Sequence, residues 1–209
     1  QYGDCLYCEV GDERILIDGG HSSDFKGSEG HPSIPEQLRT LAATRKGQAT
    51  ALTLLVVSHA HADHVGCLPA MVDQGMITAE WALLVDPKLA WSPEEGGSDS
   101  PAALLAALRE EPRYDLDATD QFKAFADGAA QLQGDYRRMI ATLKSKGTRI
   151  VLHGTSALAP LEERFAKIGM KILGPSRAHL RACAERIHTG GRDFLRDATA
   201  SFVCSFAFR

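Results

Sequence analysis

Apolar and polar positions divide the chain into short alternating blocks. Residues 52–57, Leu-Thr-Leu-Leu-Val-Val, are apolar but for Thr53 and rich in branched side chains. A short apolar run bounded by polar residues predicts a strand buried on both faces. Ahead of it, residues 3–10 and 14–17 are apolar-rich runs around Gly11-Asp12-Glu13, which predicts a β-hairpin with a tight polar turn. Residues 21–35 hold Gly27, Gly30, Pro32, Pro35 and several serines and read as a loop; residues 36–44 then have the length and pattern of a helix, ended by Lys46-Gly47-Gln48. Downstream, 67–74 predicts a helix carrying Leu68, Ala70, Met71 and Val72, and 81–85, Trp-Ala-Leu-Leu-Val, a strand stopped by Asp86-Pro87. Strand, helix and strand in alternation is the order of a layered α/β fold.

The second half changes character. Residues 91–101, WSPEEGGSDSP, predict a loop, 102–110 a helix rich in alanine and leucine, and 122–146 one or two further helices. In the last of these Tyr136, Met139, Ile140 and Leu143 recur at spacings of three and four. Residues 149–152 and 170–175 follow as strand candidates, 178–196 as a basic helical or irregular stretch, and 201–208, SFVCSFAF, as a final strand. Neither end carries repeats or low-complexity sequence. The 209 residues suit one domain, with or without an inserted subdomain.

Chemistry gathers where the central strand ends. His59 and His61, one residue apart, project from the same side of an extended segment and can close on a single metal ion. Asp63 and His64 follow at once, and a turn into a helix near Asp63 swings them to a neighbouring point, close enough to help hold a second ion. The plain alternative is a solvated loop, and a lone histidine would be read that way. Imidazole and carboxylate without thiolate favour zinc (Zn2+), while Mn2+ or Fe suits the same set. His21 and His31, in the loop before the first helix, either flank the site and touch substrate or are simply hydrated.

The five cysteines, Cys5, Cys8, Cys67, Cys183 and Cys204, are odd in number and scattered, which argues against a disulfide framework and for a reducing, cytoplasmic setting. Cys5 and Cys8 fall on opposite faces of a strand and have no second pair at zinc-ribbon spacing, so they read as small core or edge residues. Cys67 reads as a small residue packing the start of a helix behind the histidines. A net charge of −4 gives no electrostatic footprint for nucleic acid or anionic membrane. The longest apolar run is well short of the roughly 18 residues that cross a bilayer, so no membrane segment is expected. No signal peptide is visible after Gln1, and the expectation is that any native leader would have been removed or never sampled.

Ser58-His59-Ala60-His61-Ala62-Asp63-His64-Val65-Gly66, with a strand before it and an apolar helix after it, resembles the HxHxDH signature of the metallo-β-lactamase fold superfamily of metal-dependent hydrolases. The opening GDCLYCEVGDERILIDGG resembles the first hairpin of that fold, which ends in Asp-Gly-Gly. More narrowly, it resembles the subgroup related to the DNA-internalisation competence protein ComEC. The resemblance implies an αββα sandwich, here partial, spanning residues 1–209 as a single domain. A helical insertion at about 91–147 would either cap the active site or extend the packing. It implies two zinc ions held by His59, His61, Asp63 and His64, with Asp63 orienting the attacking water or taking its proton. Asp18 would buttress the histidine loop, the local alternative being an Asx turn before two glycines.

The implied reaction is hydrolysis by a metal-bound water of a phosphodiester, ester or amide-like bond. The resemblance to ComEC-like relatives favours a phosphodiester, with nucleic acid as one carrier of it that the charge does not support independently. His153-Gly154-Thr155-Ser156 resembles a later His-His-Gly-Ser ligand motif of the subgroup. No aspartate-bearing Leu-Thr-Gly-Asp strand precedes it, so the family order argues against His153 as a ligand. Residues 170–175, MKILGP, resemble the strand ending in Leu-Gly-Pro that comes before the second half of such domains. Beyond about residue 175 the bridging aspartate and last histidine of the family lack counterparts, Asp193 and Asp197 lying outside the expected strand context. The opposing expectation is therefore a truncated or degenerate, non-catalytic module that binds metal weakly. A thiolesterase of the glyoxalase kind shares the motif without further support.

Overall fold

The structure is a computed structural model that describes residues 4–87, 116–174, 176, 178 and 206–207, with side chains from residue 131 onward in the long helix. The expected loop at 91–101, the helix at 102–110, most of the stretch 178–196 and most of the last strand lie outside the described residues.

The opening hairpin is β1 (Leu6–Val10) and β2 (Glu13–Ile17), antiparallel with Val10 opposite Glu13. That register leaves Gly11 and Asp12 to make the turn, and Gly11 takes a φ of +62°, which its missing Cβ permits. The first helix, α1 (Ile34–Leu41), starts two residues earlier than its apolar pattern suggested. Pro35 sits in its first turn, where its missing N–H costs nothing, and Ser33 Oγ accepts from the Glu36 N–H at 3.3 Å.

The central strand β3 (Thr50–Val56) pairs in parallel with β2 and with β4 (Ile77–Leu84), and β4 pairs in parallel with β5 (Arg149–Leu152). The sheet order is thus β1-β2-β3-β4-β5. Short helices α2 (Ala62–Val65) and α3 (Leu68–Asp73) connect β3 to β4. The region read as one or two helices contains a single one, α4 (Leu116–Ser145). After β5 come α5 (Leu158–Arg164) and β6 (Lys171–Ile172), which pairs antiparallel with β7 (Phe206–Ala207). No helix among the described residues is long and apolar enough to cross a membrane.

Both faces of the sheet are covered. Leu55, Val57, Ala82 and Leu84 pack with Leu68, Met71 and Val72 of α3 and with Tyr136, Met139, Ile140 and Leu143 of α4. Leu54, Val56, Trp81 and Leu83 face the other way, against Leu161 of α5, Phe165 and Met170. Alternate residues of one strand feed two cores, which is why the run at 52–57 is continuously apolar. Cys5 packs against the first core and Cys8 against the second, on opposite faces as an offset of three requires. Asp73 fastens α3 to α4 through Arg138 Nε (3.3 Å) and Thr142 Oγ1 (3.2 Å).

Parallel pairing brings the carboxyl ends of β2 to β5 to one edge, and there β3 and β4 part. Val57 N–H still donates to Leu83 O (2.9 Å). The next bond of a parallel ladder would run from Val85 N–H to Val57 O. Instead Val85 N–H donates to the Tyr136 hydroxyl (3.0 Å), which itself donates to Val85 O (3.1 Å). The Val57 carbonyl accepts from His153 Nε2 (2.9 Å). Two buried side chains thus take over where the ladder stops, and the chain is free to leave the sheet at Ser58 with its peptide groups satisfied.

Two loops then meet at close quarters. A Cβ on Gly66 would lie 1.7 Å from the Gly20 carbonyl oxygen, and one on Gly19 would lie 2.5 Å from Leu68 Cγ. Gly66→Ala should therefore cost about 3 kcal/mol or more and lower Tm by roughly 6–12 °C in a thermal melt. Gly75→Ala, with φ +67° but open space around it, should cost only about 1 kcal/mol; equal losses would contradict the close approach.

His153 is held neutral, its pKa pushed down to about 4 by burial, with the Val57 carbonyl pulling the other way. Unfolded, it titrates near about 6.5, so the unfolded chain takes the proton first and stability falls as pH drops from about 6.5 towards about 4. His153→Gln keeps an N–H for Val57 and has nothing to titrate. Urea unfolding across that window should show the decline flattened by up to about 3 kcal/mol, and an unchanged slope would place the titration elsewhere.

Candidate metal centre

Asp18 is the first residue after β2 and is buried at a φ of +60°. Its own N–H donates to Val56 O (2.9 Å), which pins the turn to the end of the central strand. The carboxylate then reaches forty and more residues along the chain. Oδ1 accepts from the Ser58 N–H (2.7 Å), and Oδ2 accepts from the Ser58 hydroxyl and from His64 Nδ1 (2.8 Å). Gly19 N–H donates to His64 O and Gly19 O accepts from Cys67 N–H (3.2 Å), so the turn and the histidine loop are laced on both sides. The Asp18 carboxylate is thus bonded to groups forty and more positions away.

His61, in extended backbone, has the N-cap position of α2, so Asp63 and His64 fall in that single helical turn. The rings of His59 and His61 lie 4.8 Å apart, nearly perpendicular, and those of His59 and His64 lie 3.7 Å apart. Asp63 Oδ2 is 3.7 Å from His64 Nε2. Two sets of donor atoms each fall within 4.8 Å of one another, one from His59, His61 and Asp63, the other from Asp18, His59 and His64. Asp18 already receives three hydrogen bonds, so the second set reads as ligand and support together. The first is the more open to water, with the Asp63 side chain 41% exposed.

The electrostatics suit a cation. Burial pushes the His59 pKa down to about 4, the neighbouring His64 and His61 adding to the effect against an opposing pull from Asp63. Burial also lowers His61, again against Asp63. Both rings are therefore neutral at physiological pH, with lone pairs to give. Burial raises Asp18, and its bonds to Ser58 and His64 counter that rise. Ligands about 2.1 Å from a shared tetrahedral ion stand roughly 3.4 Å apart, so a set within 4.8 Å needs only modest closure to seat one. The donor set fits a divalent cation.

Other sequence candidates sit elsewhere. His153 belongs to neither donor set and holds Val57. His21 caps a 3-10 turn (Ser22–Phe25), with Nδ1 2.9 Å from Ser23 Oγ, and the backbone of exposed His31 pairs with Ser28. Cys67 is buried and its Sγ donates to His21 O (3.2 Å), its pKa raised to about 12 chiefly by burial; it is a packing residue, not a thiolate. Asp193 and Asp197 lie outside the described residues. Sequence reasoning missed Ser58, whose only signal was a hydroxyl at a strand end immediately before the first histidine.

The family model for the metallo-beta-lactamase superfamily matches residues 2–136, a span that runs from the first hairpin through the histidine loop to Tyr136. Among curated proteins none matches the chain. A match over more than half of the sequence, on a mixed α/β fold with a His/Asp cluster at the carboxyl edge of its sheet, places this chain in the metallo-beta-lactamase superfamily.

Proposed function

We propose that this chain is a hydrolase that uses a divalent cation, zinc by preference, held by His59, His61 and Asp63 with His64 beside them. The observation that carries the reading is the convergence of two neutral imidazoles and one partly exposed carboxylate at the carboxyl edge of the sheet's parallel strands. A bound cation supplies Lewis acidity and brings the proton of a coordinated water within reach of neutral pH. The chain's own residues do the rest. Asp18 holds His64 by Nδ1, leaving Nε2 to face Asp63. Asp63, its side chain partly open to solvent, has a carboxylate oxygen to orient an incoming water or accept its proton. Imidazole and carboxylate without a thiolate support zinc, and manganese or iron is the next choice.

For the substrate we favour a phosphodiester, since the opening hairpin resembles ComEC-like domains; an ester is the next class. Nucleic acid as the carrier of that bond gets no help from a net charge of −4.

Elemental analysis of the purified chain beside its intact mass should give one to two zinc ions, with turnover of a chromogenic phosphodiester. Asp63→Asn should lower kcat by about 100-fold or more without unfolding the protein, and retained activity would rule out its role. Less than about half an ion per chain with no turnover would mark a non-catalytic module instead. Replacing both histidines, His59→Ala with His61→Ala, should strip the metal; unchanged stoichiometry would move the site elsewhere.

A further inference from the structure

We infer that Ser58 is a positioning residue that passes the hold of Asp18 on to His59, so that one buried carboxylate fixes the tautomers of two imidazoles. The inference comes from counting protons. An ionised carboxylate only accepts, and Asp18 Oδ2 takes the single hydroxyl proton of Ser58. Towards His59 Nδ1, 3.0 Å away, the Ser58 oxygen then has only a lone pair to offer. His59 Nδ1 must therefore carry the hydrogen, and in a neutral ring that leaves Nε2 bare. His64 reaches the same state directly, because its Nδ1 lies 2.8 Å from the same Asp18 oxygen. The two rings, 3.7 Å apart, are thus both set with Nδ1 towards the protein and Nε2 free for a ligand.

The Ser58 N–H makes the relay rigid, since its bond to Asp18 Oδ1 (2.7 Å) fixes the serine backbone against the carboxylate while the hydroxyl bonds the other oxygen. Every link is buried or nearly so: Asp18 is 3%, Ser58 8% and His59 6% exposed, which leaves little room for water to substitute for the hydroxyl. The tautomers are set without a cation; only their use as ligands rests on the metal-dependent reading above.

Two-bond 1H–15N correlation spectra of the metal-free, uniformly 15N-labelled chain at about pH 7.5 read the tautomers directly. His59 and His64 should both show hydrogen on Nδ1. In Ser58→Ala the His59 signal should become a mixture of tautomers while His64 stays as it was, and Ser58→Thr should restore the single form. Asp18→Asn, a substitution that tolerates the positive φ, should disturb both rings. In a chelator competition with Zn2+, Ser58→Ala should bind about 10- to 100-fold more weakly than the wild type, with Ser58→Thr recovering most of the loss. Hydrogen on Nε2 of His59 in the wild type would overturn the relay whether or not the variants fold. So would a Ser58→Ala protein with an unchanged His59 tautomer. Correct tautomers in a wild-type chain that takes up no zinc would support the relay and sink the metal-dependent reading.

Discussion

The structure turns on a buried carboxylate. Asp18 is held in a left-handed turn at the end of β2, and its two oxygens gather a backbone amide, a hydroxyl and an imidazole from the histidine loop. Burying a charge is costly unless donors surround it, and here the donors are the groups that need orienting. The glycines around this knot follow from the same constraint. Gly19 and Gly66 lie where any side chain would strike a neighbour, because the two loops must come this close for the carboxylate to reach across.

Much of this was legible in the sequence because local periodicity and tertiary placement agree. The run at 52–57 reads as buried strand, and both its faces are covered; Tyr136, Met139, Ile140 and Leu143 read as one helix face, and all four pack against the sheet. The His-x-His spacing relies on extended backbone, which His61 has, and the Asp-His step only on the start of a helix, which α2 provides. The start of α1 was misplaced because Pro35 and Ser33 count as loop residues by composition, although the first turn of a helix tolerates the one and is capped by the other.

What the sequence hid are contacts between residues far apart in the chain. Nothing about Ser58 marks it as the partner of a carboxylate forty positions earlier. His153, followed by Gly-Thr-Ser, carries a pattern suggestive of a ligand, yet its surroundings make it a buried donor to a backbone carbonyl. Tyr136 carries core periodicity, and its hydroxyl turns out to serve both peptide groups of Val85. Helical or strand periods report which side of an element is apolar. They do not report which polar tip meets which peptide group.

The parting of β3 and β4 bears on how the protein assembles. The notch is sealed by one side chain from α4 and one from beyond β5, so the opening hairpin and the histidine loop can be synthesised long before their last two peptide partners emerge. Until those arrive, the Val57 carbonyl and the Val85 peptide must be satisfied by solvent, and the stretch leading to the cluster stays wet. The edge that carries the site is thus closed only once residues 136 and 153 are in place, although most of the site's own residues come early in the chain.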